Sequence, residues 1–268
     1  MPDQKSIAKN GMTGFQLKVL GVILMTFDHI HAFSGLTTPF WFGWLGRPVA
    51  TIFLFASAEG YRHTRSKKKY LLRLLAGFWL MNFGNYFVSK LFPLEGVELC
   101  ANIFGTLFWG VFAMFLYDSV RAGIREKSAL KILCPAAVIL ISAALSLEME
   151  PLTHSHPALG VALLNLLPVP AYVEGGLTYI LLALMFYLCG DKKNLRLIVV
   201  AAVPALFFAA SLSSGHLFTQ NYGWMAVFSI VPIYLYNGER GKPVKRFFYA
   251  YYPLHIFAIY LIGYLAAK

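Results

Sequence analysis

Ionisable side chains lie deep inside the first apolar stretch of this 268-residue chain, and they are the first candidates for chemistry. Asp28 and His29 stand next to each other there, and His31 follows. At 1.5 Å per residue, Asp28 lies roughly 20 Å beyond Phe15, past the middle of a bilayer. Because charge in lipid is costly, such groups normally face a polar interior and mark a site or a pathway.

The second apolar stretch supplies a partner for this group. Arg47 follows Gly46 and enters from the same side of the bilayer that Asp28 approaches, so the two side chains are expected to form an ion pair. The pair has two interpretations: it orients His29 or His31 as an acid or a base, or it holds two helices together. Our hypothesis is that Asp28 orients His29, while Arg47 holds the carboxylate.

The last apolar stretch contains another histidine candidate. Pro253 removes a backbone donor from its helix and kinks it. His255 follows the kink and lies roughly 13 Å beyond Arg246. Tyr252 belongs to an aromatic run of the kind that usually forms an interfacial belt. Because His255 directly follows the kink, it is a better site candidate than a belt residue.

A basic segment follows the second apolar stretch. Glu59 ends that stretch, either as an interfacial charge or as part of the site. The cations that follow, with one histidine among them, are Arg62, His63, Arg65, Lys67, Lys68, Lys69 and Arg73. Their density has two interpretations, attraction to anionic lipid or a binding site for a phosphate ligand.

The composition excludes a soluble protein of this length. The chain is 58% hydrophobic and 13% charged, with a mean hydropathy of +0.62. Apolar stretches long enough to span a bilayer recur from end to end. We predict an all-α integral membrane protein with one polytopic domain over residues 1–268. The expected architecture is a bundle of nine to ten transmembrane helices with a re-entrant segment.

The distribution of charge predicts the orientation. The net charge of +11 is concentrated in short loops at the ends of apolar stretches, and Lys5 and Lys9 precede the first stretch. Cytoplasmic loops carry such an excess of Lys and Arg. The N-terminus is therefore predicted to be cytoplasmic, and no nucleic-acid partner is expected.

The number of crossings depends on one segment. Clear spans are expected near residues 15–34, 45–61, 71–92, 101–120, 132–147, 176–190, 197–212, 223–237 and 247–267. Before the sixth span, Pro157, Pro168 and Pro170 bracket a short apolar piece, and proline ends or breaks helices. A re-entrant segment at 158–175 gives nine crossings and keeps the basic loops on one side. A crossing at that segment gives ten.

Several stretches of the chain together resemble the TraX family of membrane proteins. They are residues 17–30, 46–53, 58–60, 62–65, 69–70, 236–241 and 248–255. The founding member of that family acetylates the N-terminal amine of a pilin subunit, and the chain is also distantly similar to multi-helix membrane acyltransferases. The resemblance implies an acetyl-CoA-dependent N- or O-acetyltransferase of the bacterial cytoplasmic membrane. Its acceptor would be a peptide amine or a surface glycan or lipid.

The residue types agree with this activity. Lys and Arg suit the phosphates of coenzyme A, and a histidine with a carboxylate suits the deprotonation of an attacking amine or hydroxyl. The predicted catalytic residues are Asp28, His29, Arg47, Glu59 and His255. The predicted donor-binding residues are Arg62, His63, Lys67, Lys68, Lys69, Arg73, Arg246 and Tyr252. No metal is predicted.

A function of another class uses the same residues. A proton-coupled transporter would employ the intramembrane Asp, His, Arg and Glu as a relay. The sequence has no evident internal repeat of the kind that many transporters carry, and this favours the enzyme. A non-catalytic scaffold leaves the buried charge unexplained. Either His29 or His255 is a candidate for the base.

Overall fold

The computed structural model describes residues 11–212 and 215–268, and these residues form helices joined by short loops. Lys5 and Lys9, on which part of the prediction for the N-terminus depends, lie outside the described residues. The helices are α1 Gly14–Phe33, α2 Trp41–His63, α3 Lys67–Leu91, α4 Ile103–Glu126, α5 Leu130–Ser155, α6 Pro157–Leu166, α7 Gly176–Cys189, α8 Lys193–Leu212, α9 Ile230–Leu235 and α10 Lys245–Ala266. A 3-10 helix, Tyr222–Ser229, precedes α9.

The described helices confirm the predicted all-α membrane class. Four of them, α4, α5, α8 and α10, are long and apolar enough to cross a membrane, and their composition is that of a polytopic helical bundle. The fifth span was expected to end near residue 147, but α5 continues through Pro151 to Ser155. Segment 148–155, expected outside the span, is therefore helical.

The described residues group into two compact units. Within the described residues, unit 1 falls in the ranges Met1–Ala56, Gly84–Cys100 and Cys189–Lys268, and unit 2 falls in Ser57–Phe83 and Ala101–Leu188. Helices α2 and α3 contribute residues to both units. The single domain over residues 1–268 stays a prediction.

Helix α1 of unit 1 begins at a capping box. The Thr13 hydroxyl accepts a hydrogen bond from the Gln16 amide, and the Gln16 side chain accepts one from the Thr13 amide at 2.8 Å. The reciprocal bonds satisfy two N–H groups that the helix itself leaves without partners. They fix the start of the helix that carries Asp28 and His29.

Helices α1 and α10 of unit 1 run parallel to each other. The contacts that show it, in chain order along both helices, join Phe15 to Phe248, Thr26 to Tyr251, His29 to His255 and Ser34 to Gly263. At Gly263 the approach is so close that a Cβ atom would lie 2.0 Å from the Ser34 carbonyl oxygen. Parallel first and last helices favour an odd number of crossings, as in the nine-span prediction.

Three of the basic segments lie at one end of unit 1, namely those that contain Lys18, Lys193 and Arg246. The Lys18 ammonium lies over the Phe248 ring at the start of α10, and the Lys193 ammonium lies over the Tyr234 ring near the end of α9. The Met12 amide donates to the Leu235 carbonyl, which joins the start of α1 to the same end. This grouping agrees with the expectation that the basic loops share a side.

Helix α6 of unit 2 is short, as expected for the segment before the sixth span. Its ten residues reach about 15 Å, half the thickness of a hydrocarbon core. Side chains of α3 and α4 donate to carbonyls at its end and in the loop that leads to α7: Trp79 donates to Leu166 at 2.8 Å, and Thr106 donates to Glu174 at 2.6 Å. Irregular backbone at membrane depth requires such partners, so the geometry suits a segment that does not cross.

Candidate functional site

Two histidines of unit 1 form a direct hydrogen bond, and we call His29 and His255 the histidine pair. The nitrogens Nδ1 of His29 and Nε2 of His255 lie 2.7 Å apart. The ring centroids are 4.9 Å apart and the ring planes differ by 13°. This separation is close to the nitrogen–nitrogen distance plus the radii of both rings, so the rings are nearly coplanar. The hydrogen bond therefore lies in the ring plane, where the nitrogen lone pair points.

The next turn of α10 holds His255 in place. Its Nδ1 donates to the Tyr251 carbonyl at 2.7 Å, and the Tyr251 ring stacks on the imidazole. The Tyr251 hydroxyl lies 2.7 Å from the Thr26 hydroxyl, which itself donates to a carbonyl of α1. His255 is only 8% exposed. The ring therefore has a fixed orientation on the face of α10 that packs against α1.

Aromatic side chains border the histidine pair. The Tyr252 ring is buried and lies 6.0 Å from the His29 ring and 5.9 Å from the His255 ring. Phe33 lies one turn further along α1, and its ring centroid is 5.3 Å from that of His29. Tyr252, predicted to bind the donor, thus belongs to the surroundings of the histidine pair.

The predicted ion pair between Asp28 and Arg47 is present. The Nη2 atom of Arg47 lies 2.8 Å from Oδ1 of Asp28, and Nε of Arg47 donates to the Gly43 carbonyl at 3.1 Å. The guanidinium also lies over the Tyr222 ring. At Gly46 a Cβ atom would stand 2.1 Å from the Asp28 Cγ, so only glycine lets the carboxylate pack against α2.

The hypothesis that Asp28 orients His29 is wrong. The hydrogen-bond partner of His29 is His255, and that of Asp28 is Arg47. Successive side chains of a helix point about 100° apart, so Asp28 faces α2 while His29 faces α10. The other candidate, His31, has its Nδ1 2.5 Å from the Thr38 hydroxyl and does not join the pair.

Unit 2 contains a polar group that sequence reasoning missed, and we call Asp118 with its three donors the Asp118 cluster. Asp118 accepts hydrogen bonds from the Tyr61 hydroxyl at 2.9 Å, from the Tyr187 hydroxyl at 2.6 Å and from the Lys67 ammonium. The ammonium also lies 4.4 Å from the centre of the Tyr61 ring. A signal existed, because Asp118 is an acid within the fourth apolar stretch, as Asp28 is within the first.

Glu59 and Arg62 form a second buried pair in unit 2. Arg62 Nη1 lies 3.1 Å from Glu59 Oε1, and both side chains are mostly buried. Arg62 also donates to the carbonyls of Phe186, at 3.0 Å, and Tyr187, at 2.5 Å. These carbonyls end α7, where the helix itself supplies no donors and where positive charge is favourable. His63 is exposed, and its Nε2 is 3.9 Å from Glu59.

The structure divides the predicted donor-binding residues. Arg62 and Lys67 are engaged by carboxylates of the protein. Lys68, Lys69 and Arg73, in the first two turns of α3, are exposed, as is Arg246 in the first turn of α10. These four have no ion-pair partner within residues 11–212 and 215–268. Of the predicted donor-binding cations, these four are therefore the ones available to bind an anionic ligand.

Unit 1 also contains an apolar cavity of about 440 Å³ that the sequence did not predict. Its walls come from α1, α2, α9, the 3-10 helix and the loop before that helix, and they include Leu20, Leu24, Trp41, Trp44, Phe218 and Trp224. The volume is that of a small-molecule site, but no charged side chain lines it. Across the described part of the chain, no three His, Cys, Asp or Glu side chains gather as a metal site requires.

Comparison with known proteins places this chain in a family. The family model described as TraX protein matches residues 13–90 and 97–263, ranges that contain the histidine pair, the Asp28–Arg47 pair and the Asp118 cluster. No curated protein and no solved structure shows significant similarity to the chain. Because the family model covers nearly the whole sequence, the chain belongs to the TraX family.

Proposed function

We propose that this protein is a membrane-embedded acetyltransferase. It transfers an acetyl group from cytosolic acetyl-CoA to an amine or hydroxyl acceptor at or across the bacterial cytoplasmic membrane. The observation that carries the proposal is the histidine pair, an acid–base group inside apolar helices. Membership of the TraX family supports it.

The reaction requires a base and a positioned thioester. A histidine takes the proton of the acceptor, whose nitrogen or oxygen forms a bond to the acetyl carbonyl carbon. The carbon–sulfur bond then breaks, and the coenzyme A thiolate receives the proton from the histidine. Acceptors that suit this chemistry are a peptide N-terminus and the hydroxyl of a surface glycan or lipid.

The ion pair supports the base without touching it. Asp28 and Arg47 join α1 to α2 one residue before His29. Because α1 also packs against α10, the pair limits rotation of the helix that carries His29. We therefore assign Asp28 and Arg47 to positioning and not to proton transfer.

Exposed cations suit the phosphates of the donor. Lys68, Lys69 and Arg73 lie where α3 begins, and free backbone N–H groups at a helix start favour anions. Arg246 stands similarly at the start of α10. His63 is exposed beside Glu59, and we assign it to donor binding together with Lys68, Lys69 and Arg73 of the same unit. Arg62 and Lys67 contribute by holding the framework, since carboxylates of the protein already bind them.

A proton-coupled transporter is the second candidate, because an N–H···N bond between two histidines can also pass protons. One preparation distinguishes the two functions. Purified protein is placed in liposomes and supplied with labelled acetyl-CoA, with and without a peptide amine. The enzyme releases coenzyme A and labels the acceptor without a proton gradient. Proton flux with no thioester cleavage would replace the acetyltransferase by the transporter.

A further inference from the structure

We propose that Nε2 of His29 is the atom that takes the acceptor's proton, and that His255 is a positioning residue that fixes the tautomer of His29. This inference rests on the proposed acetyl transfer. It identifies which of the two histidines is the base and which nitrogen acts. The argument follows the hydrogen bonds outward from the backbone.

The first step fixes the proton of His255. A backbone carbonyl has no proton to give, so the 2.7 Å contact between His255 Nδ1 and the Tyr251 oxygen requires a proton on Nδ1. A neutral imidazole carries one N–H. Nε2 of neutral His255 therefore holds a lone pair.

The second step fixes the proton of His29. Nε2 of His255 must accept, so the hydrogen in the 2.7 Å contact belongs to Nδ1 of His29. Coplanar rings direct this N–H along the lone pair of its partner. Neutral His29 therefore carries no proton on Nε2. The basic lone pair available in the two histidines lies on that atom.

The third step concerns availability. Nε2 of His29 has no hydrogen-bond partner among the residues that the structure describes, and the side chain is half-buried. Both nitrogens of His255 are engaged. His29 can thus meet an acceptor, whereas His255 has no lone pair left for one.

The arrangement also stabilises the product of proton transfer. When Nε2 of His29 takes the acceptor's proton, the imidazolium still donates its Nδ1–H to His255. A base whose second nitrogen is held by an orienting group is the logic of catalytic triads. Here a neutral histidine anchored on a backbone carbonyl takes the place of the carboxylate.

Other ionisable groups lie close to the pair and affect any pH measurement. Asp28 precedes His29 on α1, Arg47 lies on α2, and Tyr251 and Tyr252 lie on α10. The ordinary pKa of histidine is about 6.5. The tautomers are therefore best observed at a pH well above that value, where both rings are neutral.

Nitrogen-15 NMR of histidine-labelled protein in nanodiscs tests the tautomers without substrate. We expect a protonated Nδ1 and a bare Nε2 on His29, and a nitrogen–nitrogen coupling through the hydrogen bond to His255 Nε2. His29→Gln and His255→Gln assign the signals, and both variants should lose the coupling. A proton on Nε2 of His29, or no coupling in wild type, would overturn the proposal. Because no acetyl-CoA is present, this failure is separate from failure of the proposed function.

Two substitutions at His255 test its role in turnover. Glutamine places an amide oxygen near the position of Nε2 and keeps the acceptor, whereas phenylalanine keeps a ring and removes it. His255→Phe should lower kcat by about 10- to 100-fold, the range for losing an orienting partner, with the KM for acetyl-CoA unchanged. His255→Gln should recover most of that loss. Equal losses in both variants would assign His255 a packing role only.

Discussion

The histidine pair of unit 1 and the Asp118 cluster of unit 2 both place ionisable groups within apolar helices, but they differ in what they leave unsatisfied. Asp118 receives three donors, one of them a lysine that balances its charge. The histidine pair receives a backbone acceptor and an internal hydrogen bond, and Nε2 of His29 keeps a lone pair without a partner among the described residues. A cluster that satisfies itself holds helices together, whereas one that does not can bind or react.

The same distinction applies inside unit 1. Asp28 and Arg47 satisfy each other, and the sequence alone left open whether they serve chemistry or hold helices together. Because the two charges satisfy each other, we class this ion pair with the Asp118 cluster, as a contact that holds helices together. The predictions below test this division, from the largest expected effect to the smallest.

Removing the proposed base should have the largest effect. His29→Ala should lower kcat by about two to four orders of magnitude, the range for losing a general base, while the protein stays folded. His154→Ala is the matched control, because His154 is exposed and its ring hydrogen-bonds to the Glu150 carbonyl of its own helix. Coenzyme A release at wild-type rate by His29→Ala would reduce the histidine pair to a structural contact.

Removing the charge of the Asp118 cluster should affect stability and not chemistry. Asp118→Ala leaves two hydroxyls and an ammonium without their acceptor, which should cost about 2 kcal/mol of unfolding free energy, less than for a fully buried pair. Glu126→Ala removes an exposed acid of the same helix that also pairs with a lysine, and it should change stability little. Chemical denaturation in detergent measures both. Equal stability of the two variants would contradict the structural role of Asp118.

Filling the contact between α1 and α2 should disturb the ion pair. Gly46→Ala inserts a Cβ atom into the Asp28 carboxylate, and the overpacking should cost about 1–3 kcal/mol, more than alanine gains in helix propensity. Gly223→Ala is the control, since its Cβ would make only ordinary contacts with Phe207. Denaturation midpoints compare the variants. A Gly46→Ala protein as stable as wild type would mean that α1 and α2 lie further apart.

Neutralising exposed cations should have the smallest effect. Lys68→Gln with Lys69→Gln should raise the KM for acetyl-CoA about threefold to tenfold and leave acceptor affinity unchanged, because exposed ion pairs contribute little each. The matched control neutralises Arg121 and Arg125, at the end of α4. If both double variants raised the KM equally, the attraction would be non-specific and the phosphates would bind elsewhere.

Much of the fold was predictable, because apolar length and helix breakers are local properties of the sequence. The first span was expected at 15–34 and α1 runs from Gly14 to Phe33, while the prolines around residues 157–170 correctly predicted a short segment. The longer α5 was not predicted, because the acids at 148 and 150 and Pro151 suggested a loop, yet the helix continues through them.

The site was predictable only in part. The depths of Asp28 and Arg47 along two neighbouring spans were sufficient to predict that their side chains form an ion pair. It was not sufficient for His29 and His255, which are 226 residues apart, because the relative height of α1 and α10 depends on packing at Gly263 and Tyr251. Asp118 lies near the end of its stretch, where an acid resembles an interfacial charge. Its position within the stretch was a signal, but the three donors that show it to be part of a cluster come from other helices.

The most direct test measures turnover per folded molecule for two variants in one experiment. His29→Ala and Asp118→Ala are purified in nanodiscs, their folded fractions are determined, and coenzyme A release from acetyl-CoA is measured with a peptide amine present. The account predicts a folded but inactive His29→Ala protein and an Asp118→Ala protein that is less stable but active per folded molecule. The reverse pattern, or equal activity of the two, would contradict it.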